Sequence, residues 1–184
     1  MNPQANECKK TAVILDTSAF IAGFDPFSLP KPQLTVPKVE EEISRSSIVN
    51  TRFRAAIENG KLKVKVPHPD FLKAAKVSAS SLGDSYLLSE ADMQLLALAL
   101  ELKAKGFAPQ IVTDDYSIQN VASQMEIRFL ALATFGIKRL LEWIRYCPAC
   151  HREYSADCAS KECLVCGTQL KRKPRRTVKN LKSK

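Results

Sequence analysis

Four cysteines in the last quarter of the chain have the types and spacing of a metal site. They form two CxxC pairs, Cys147 with Cys150 and Cys163 with Cys166, separated by twelve residues. A two-residue gap lets both thiolates of a pair reach one ion, and two pairs complete a tetrahedral Cys₄ zinc site. Because such a site keeps no open position, we expect the zinc to be structural.

The alternative is that these cysteines form disulfides. Disulfide frameworks belong to secreted proteins, and residues 1–11 contain no apolar signal region. Zinc is therefore the favoured interpretation. Cys8, His151 and Cys158 are surplus to a four-cysteine site, and His151 stands where a glycine is more usual after the first pair.

Carboxylates form the second candidate site. Asp16 follows the apolar run 12–15, Asp114 and Asp115 follow a strand-like run at 110–113, and Asp92 lies in the first turn of the clearest helix. In a parallel sheet, residues that follow the strands meet at one edge. Clustered carboxylates repel one another unless a cation neutralises them, and oxygen ligands suit Mg²⁺ or Mn²⁺. Thr17, Ser18 and Thr113 could hydrogen-bond the acids, although all three are also ordinary turn residues.

Each acid also has a structural interpretation. Asp92 matches a capping box with Ser89, and either Asp114 or Asp115 can cap the following helix. The glutamates 40–42 could form a solvated helix face. With Val39 and Ile43 turned inward, Glu41 points away, which leaves Glu40 and Glu42 as candidates.

The elements that would position these residues alternate between strands and helices. Strands are predicted at 12–15, 62–66 and 110–113, and helices at 37–59, 69–82, 90–105 and 115–125. The helix at 37–59 should turn five residues inward: Val39, Ile43, Ile48, Phe53 and Ile57. This alternation is typical of a parallel α/β sandwich.

Charge divides the chain in two. Of the net charge of +9, residues 1–146 carry +2 and residues 147–184 carry +7. After the cysteines, the basic run with no acid includes Lys171, Arg172, Lys173, Arg175 and Arg176. It could be a solvated tail, but it also suits contacts with nucleic-acid phosphates. No apolar stretch is long enough to cross a membrane, so we expect a soluble, cytoplasmic protein.

Four acidic motifs carry a resemblance: ILDTSAF at 14–20, VEEEI at 39–43, SEADMQLLALA at 89–99 and TDDYSIQNVA at 113–122. In order and spacing they resemble the motifs of PIN-domain nucleases, which implies a three-layer α/β/α sandwich. The resemblance singles out Glu42 among the glutamates and leaves both Asp114 and Asp115 as candidates. Together with the shift in charge and cysteine content at about residue 147, these motifs divide the chain into an N-terminal segment at 1–11, a nuclease domain at 12–145, a zinc ribbon at 146–170 and a basic tail at 171–184.

The whole chain resembles the Nob-type endoribonucleases, in their compact archaeal form. That resemblance implies an enzyme acting on precursor small-subunit rRNA within the pre-small ribosomal subunit, to make the mature 3′ end. Asp16, Glu42, Asp92 and the Asp114/Asp115 pair would hold Mg²⁺ or Mn²⁺ for phosphodiester hydrolysis to a 5′ phosphate and a 3′ hydroxyl. The alternatives are a toxin-type PIN ribonuclease acting on tRNA or mRNA, and a non-catalytic RNA-binding assembly factor.

Overall fold

The computed structural model describes residues 10–30, 33–44, 47–82, 87–134, 136, 142–156 and 158–175. The first sheet is built from five parallel strands in the order β3-β2-β1-β4-β5, with helices on both sides. The strands are β1 (Thr11–Leu15), β2 (Gln33–Thr35), β3 (Leu62–Val64), β4 (Ala108–Val112) and β5 (Arg128–Leu130). The helices are α1 (Thr17–Ile21), α2 (Pro37–Ile43), α3 (Ser47–Glu58), α4 (Pro69–Leu82), α5 (Glu90–Ala104) and α6 (Tyr116–Gln124).

The core forms where β1 and β4 pair at the centre of the sheet. Ile14, Leu15 and Ile111 are fully buried, as expected for strands covered on both faces. Helix α5 packs against both strands and buries residues on nearly all its sides, Leu95 and Leu98 among them. The predicted α/β sandwich is confirmed.

The predicted helix at 37–59 is wrong as a single element. Helix α2 ends at Ile43 with Ser44 as its C-cap, and α3 begins at Ser47. Val39, Ile43 and Phe53 are buried as predicted and Ile57 packs against the core, but Ile48 is 74 % exposed. The break changes the helical phase, so a residue inward on one continuous helix faces solvent in the first turn of α3.

Strands β2 and β5 are absent from the sequence prediction. Each has only three residues, and β5 has an exposed residue at both ends, so neither carries the apolar run that identifies β1. Their pairing with β1 and β4 defines them.

A second, antiparallel sheet surrounds the cysteines. Its strands are β6 (Glu142–Tyr146), β7 (Glu153–Tyr154) and β8 (Lys171–Arg175), in the order β7-β6-β8. The sheet extends beyond the ribbon predicted at 146–170, and residues 171–175, predicted as tail, form a strand paired along all of β6. Among the described residues, no helix is both long and apolar enough to cross a membrane.

Candidate active site and zinc ribbon

Asp16 and the 113–115 segment lie side by side at the carboxyl edge of the parallel sheet. The backbone N–H of Asp16 donates to the Val112 carbonyl at 3.2 Å, which ties the ends of β1 and β4 together. Asp16 also begins α1, since its Oδ1 accepts from the Thr17 N–H at 2.6 Å. Its side chain is buried although it carries a carboxylate.

Two hydroxyl groups hold Asp16. Ser18 Oγ and Thr113 Oγ1 donate to Asp16 Oδ2 at 2.6 and 2.8 Å. The same oxygens accept from the next turn, because the Asp114 N–H donates to Ser18 Oγ and the Asp115 N–H to Thr113 Oγ1, both at 3.1 Å. Burial raises the pKa of Asp16, and the hydrogen bonds from Ser18 and Thr113 only partly offset it.

Helix α2 presents one of its three glutamates to this edge. Thr17 Oγ1 donates to Glu42 Oε2 at 2.5 Å. Because Thr17 directly follows Asp16 in the chain, this bond brings Glu42 to the same edge as Asp16. Glu40 instead lies 3.4 Å from Arg54, and Glu41 lies 2.9 Å from Lys38. Of the two candidates left by helical spacing, Glu40 and Glu42, the structure places Glu42 beside the other acids.

Asp92 combines a structural position with an electrostatic link to the site. It closes the capping box of α5, with the Ser89 N–H donating to its Oδ2 at 2.7 Å and its own N–H donating to Ser89 Oγ at 3.2 Å. Its pKa is raised to about 6, chiefly by burial and also by the charges of Asp16 and Asp115, while the hydrogen bonds from Ser89 oppose the rise. These three carboxylates therefore share one electrostatic environment.

Asp114 and Asp115 face different surroundings. The Asp114 carboxylate accepts from the N–H groups of residues 132, 133 and 134 at 2.9 to 3.2 Å and from the Thr134 hydroxyl. Burial opposes its ionisation, but these bonds prevail and lower its pKa. Asp115 caps α6 through a 2.6 Å bond from the Ser117 N–H, and its charge acts on Asp92. Asp115 therefore belongs to the acidic cluster, whereas Asp114 anchors the loop after β5.

The acidic cluster has the donor chemistry that Mg²⁺ or Mn²⁺ requires. It offers only oxygen ligands, and two of its acids have raised pKa values that a cation would lower. In the described part of the chain, no three carboxylates are as closely grouped as the cysteines are. Asp16, Asp92, Asp115 and Glu42 are the residues that could hold such an ion.

The four cysteines form a compact ligand set. The sulphurs of Cys147, Cys150, Cys163 and Cys166 all lie within 4.8 Å of one another, as a Cys₄ zinc site requires. Both turns are closed by backbone bonds of 2.9 Å, from residue 151 to Cys147 and from residue 167 to Cys163.

The two turns match although their residues differ. His151 adopts a φ of 59° and Gly167 a φ of 71°, so the histidine occupies the left-handed conformation that glycine adopts more readily. Cys158 is described but lies outside the ligand set, whereas Cys8 lies outside the described residues.

Aromatic residues of the ribbon are functional candidates that sequence analysis missed. The Tyr154 hydroxyl lies 3.0 Å from Cys163 Sγ, and its hydrogen bond is the largest cause that lowers the pKa of that thiol, to about 6, with backbone bonds from residues 165 and 166 adding to the effect. A lowered pKa favours the thiolate that zinc binds. Trp143 and Tyr146 pack beneath the cations of Arg172 and Lys173, at 4.6 and 4.9 Å. The sequence signal that could have identified them is the presence of two aromatic residues within the four positions before a CxxC pair.

The basic run is partly ordered by these contacts. Lys173 also pairs with Glu153 at 2.7 Å, while Lys171 and Arg175 are exposed on β8. Arg176 lies outside the described residues. The predicted RNA-binding residues 171–175 therefore form one strand of the ribbon sheet.

Comparison with known proteins identifies relatives of both modules. Residues 13–102 match a family described as the PIN domain of ribonuclease. The chain is 36 % identical to "Endoribonuclease Nob1" of Methanothermobacter thermautotrophicus over 89 % of its length and 93 % of that protein. It is 38 % identical to the protein of the same name from Pyrococcus abyssi, over 91 % and 96 %. "Ribonuclease VapC1" of Thermoplasma acidophilum is 34 % identical, over 86 % and 76 %.

Proposed function

The chain belongs to the PIN-domain endoribonucleases of the Nob1 family, and on that premise we propose that it cleaves precursor small-subunit rRNA to produce the mature 3′ end. The observation that carries the proposal is the clustering of Asp16, Asp92 and Asp115 at one sheet edge, with Glu42 joined through Thr17. Burial raises the pKa of Asp16 and of Asp92, and the charges of Asp16 and Asp115 add to the rise at Asp92. Carboxylates buried in this way destabilise the fold, and such a cost is typical of a functional site.

In the proposed reaction these four carboxylates would hold Mg²⁺ or Mn²⁺. A bound divalent ion would supply Lewis acidity toward water and the phosphoryl oxygens. Ser18 and Thr113 fix the Asp16 carboxylate by hydrogen bonds, and Thr17 fixes that of Glu42. Four different elements supply the acids, and these hydroxyl contacts fix the positions of Asp16 and Glu42.

The ribbon is the proposed RNA-attracting module. The acids of the nuclease module leave residues 1–146 nearly neutral, and the +7 of residues 147–184 supplies the attraction to phosphates. Deleting 147–184 should weaken RNA binding by a large, salt-dependent factor. Since β6 pairs along β8, a clean deletion starts at residue 142. Unchanged RNA affinity in the truncated protein would contradict this role.

The name VapC1 of one relative keeps a second candidate open, a toxin-type ribonuclease acting on tRNA or mRNA. Incubating the protein and Mn²⁺ with a transcript spanning the 3′ end of precursor small-subunit rRNA separates the two. We expect one cut at the mature end, with a 5′ phosphate on the downstream product. Cleavage of tRNA or mRNA with the precursor left intact would favour the toxin-type function.

An active-site variant tests the enzyme itself. Asp16→Asn should lose the cleavage activity, whereas Asp70→Asn, which changes an exposed acid at the start of α4, should retain it. Cleavage by Asp16→Asn at the wild-type rate would show that the acidic cluster is not catalytic. The protein would then fit a non-catalytic assembly factor.

A further inference from the structure

A cleft lies near the C-terminal end of α1, whereas Asp16 of the acidic cluster lies at the N-terminal end of that helix. It has a volume of about 450 Å³ and lies between the loop after α1 and one side of α3. Phe24 and Phe27 provide apolar walls, while Asp25 and Arg52 provide charges of both signs. Phe27 is 47 % exposed, although an aromatic ring of this size gains stability from burial.

Backbone contacts place this cleft close to the acidic cluster. The Ala19 N–H donates to the Asp16 carbonyl at 3.1 Å, and the Phe24 N–H donates to the Ala19 carbonyl at 2.9 Å. Helix α1 has five residues, so it is only about 7.5 Å long. A strand of RNA held at the acids therefore reaches the cleft within a few nucleotides.

The charges of the cleft indicate what it binds. No described acid lies within 4.0 Å of the Arg52 guanidinium, in contrast to Arg54 on the same helix, which lies 3.4 Å from Glu40. Asp25 Oδ1 accepts from the Phe27 N–H at 3.0 Å, which fixes the backbone of Phe27 where it lines the cleft. A carboxylate would repel a free phosphate ion, but it accepts hydrogen bonds from the amino group of a base or a ribose hydroxyl.

We propose that this cleft binds one nucleotide of single-stranded RNA, with the base stacked on Phe27 and a phosphate at Arg52. Stacking on an aromatic ring requires an unpaired base, so the cleft selects single strands over duplexes near the cut. The inference rests on the proposed function, since it takes RNA as the substrate of the adjacent acids.

The test measures binding of a short single-stranded RNA to the full zinc-loaded chain without Mg²⁺ or Mn²⁺, so that nothing is cleaved. Phe27→Leu should weaken binding about five-fold or more, and Phe27→Tyr should retain it. Arg52→Ala should lower the slope of log affinity against log salt by about 0.7, the value for one phosphate contact on a single strand. Arg54→Ala is the matched control and should keep the wild-type slope.

Duplex RNA of the same sequence provides the second arm. Its affinity should be unchanged in Phe27→Leu, whereas an equal loss for both RNAs would overturn the stacking assignment. Wild-type affinities in both Phe27→Leu and Arg52→Ala would overturn the proposal as a whole and leave a protein side chain as the better occupant.

The two proposals fail separately. If the variants bind RNA weakly but the wild-type protein cuts no precursor, the proposed function is wrong and the cleft assignment stands. If the precursor is cut and both variants bind normally, only the cleft assignment is wrong.

Discussion

Replacing Asp92 by Asn should stabilise the metal-free protein at neutral pH while removing its cleavage activity. In the wild-type fold the ionised Asp92 carboxylate is buried near Asp16 and Asp115, and both burial and charge raise its pKa from 3.8 to about 6. An amide of nearly the same shape removes that charge and can still accept the bond from the Ser89 N–H.

The size of the effect follows from the pKa change. A rise of roughly two units, at about 1.36 kcal/mol each, sets an upper limit of about 3 kcal/mol on the stability gained by removing the charge. The weaker hydrogen bond to a neutral acceptor costs about 1 kcal/mol. We therefore expect a net gain of about 1 to 2 kcal/mol, or about 2 to 8 °C in Tm for a chain of this size.

The stability gained by Asp92→Asn should increase as pH rises. Because the folded-state pKa of Asp92 is the higher one, the folded protein binds this proton more tightly, and its stability falls as pH rises from about 3.8 to about 6. Asp92→Asn removes this contribution. Its advantage should be full above pH 6 and absent below the unfolded-state pKa.

Thermal unfolding in buffers free of Mg²⁺ and Mn²⁺, with zinc retained, measures this. Glu90→Gln is the control, since Glu90 lies in the same helical turn but is exposed and pairs with Lys38 at 3.3 Å, so its Tm should not rise. Adding Mg²⁺ should raise the Tm of the wild-type protein more than that of Asp92→Asn. A variant less stable than the wild type at pH 7.5 would refute the reasoning.

Four further predictions concern the other acids and the zinc. Asp114→Ala should lower the free energy of unfolding by about 1 to 3 kcal/mol, because it removes the charge-assisted hydrogen bonds that the carboxylate accepts from the loop at 132–134. Asp115→Ala should chiefly lose the stabilisation that Mn²⁺ confers, and thermal unfolding with and without Mn²⁺ measures both effects. Burial of Glu101 opposes its ionisation, but hydrogen bonds from Lys105 and Lys65 outweigh it and lower the pKa to about 2. Glu101 should therefore add stability that declines as pH falls from about 4.5 toward 2, and Glu101→Gln should flatten that decline in acid unfolding curves. Cys163→Ser should release zinc, measured by a chromogenic chelator, and change Trp143 fluorescence while the helical circular dichroism of the nuclease module persists.

The cysteine set of the proposed zinc site and the capping of α5 could be read from the sequence, and the cap of α6 could be narrowed to Asp114 or Asp115, because each depends on residues a few positions apart. Two CxxC pairs are sufficient to identify the thiol set. Ser89 with Asp92 is a local capping box, and Asp115 caps α6 through the backbone two residues on. Asp16 could be placed at the sheet edge because an apolar strand ends immediately before it.

Contacts distant in sequence decided the rest. Helical spacing leaves Glu40 and Glu42 equivalent. The family resemblance favours Glu42, and the physical contact that distinguishes it comes from Thr17, twenty-five residues earlier in the chain. Asp114 and Asp115 are adjacent in sequence but have different roles, because the loop at 132–134 binds the carboxylate of Asp114 while the charge of Asp115 acts on Asp92. A basic run that resembles a tail becomes a strand because β6 offers it a full hydrogen-bonding edge. In each case the sequence supplies side chains of the right type, while the partner that fixes their role comes from another element and exists only after the chain has folded.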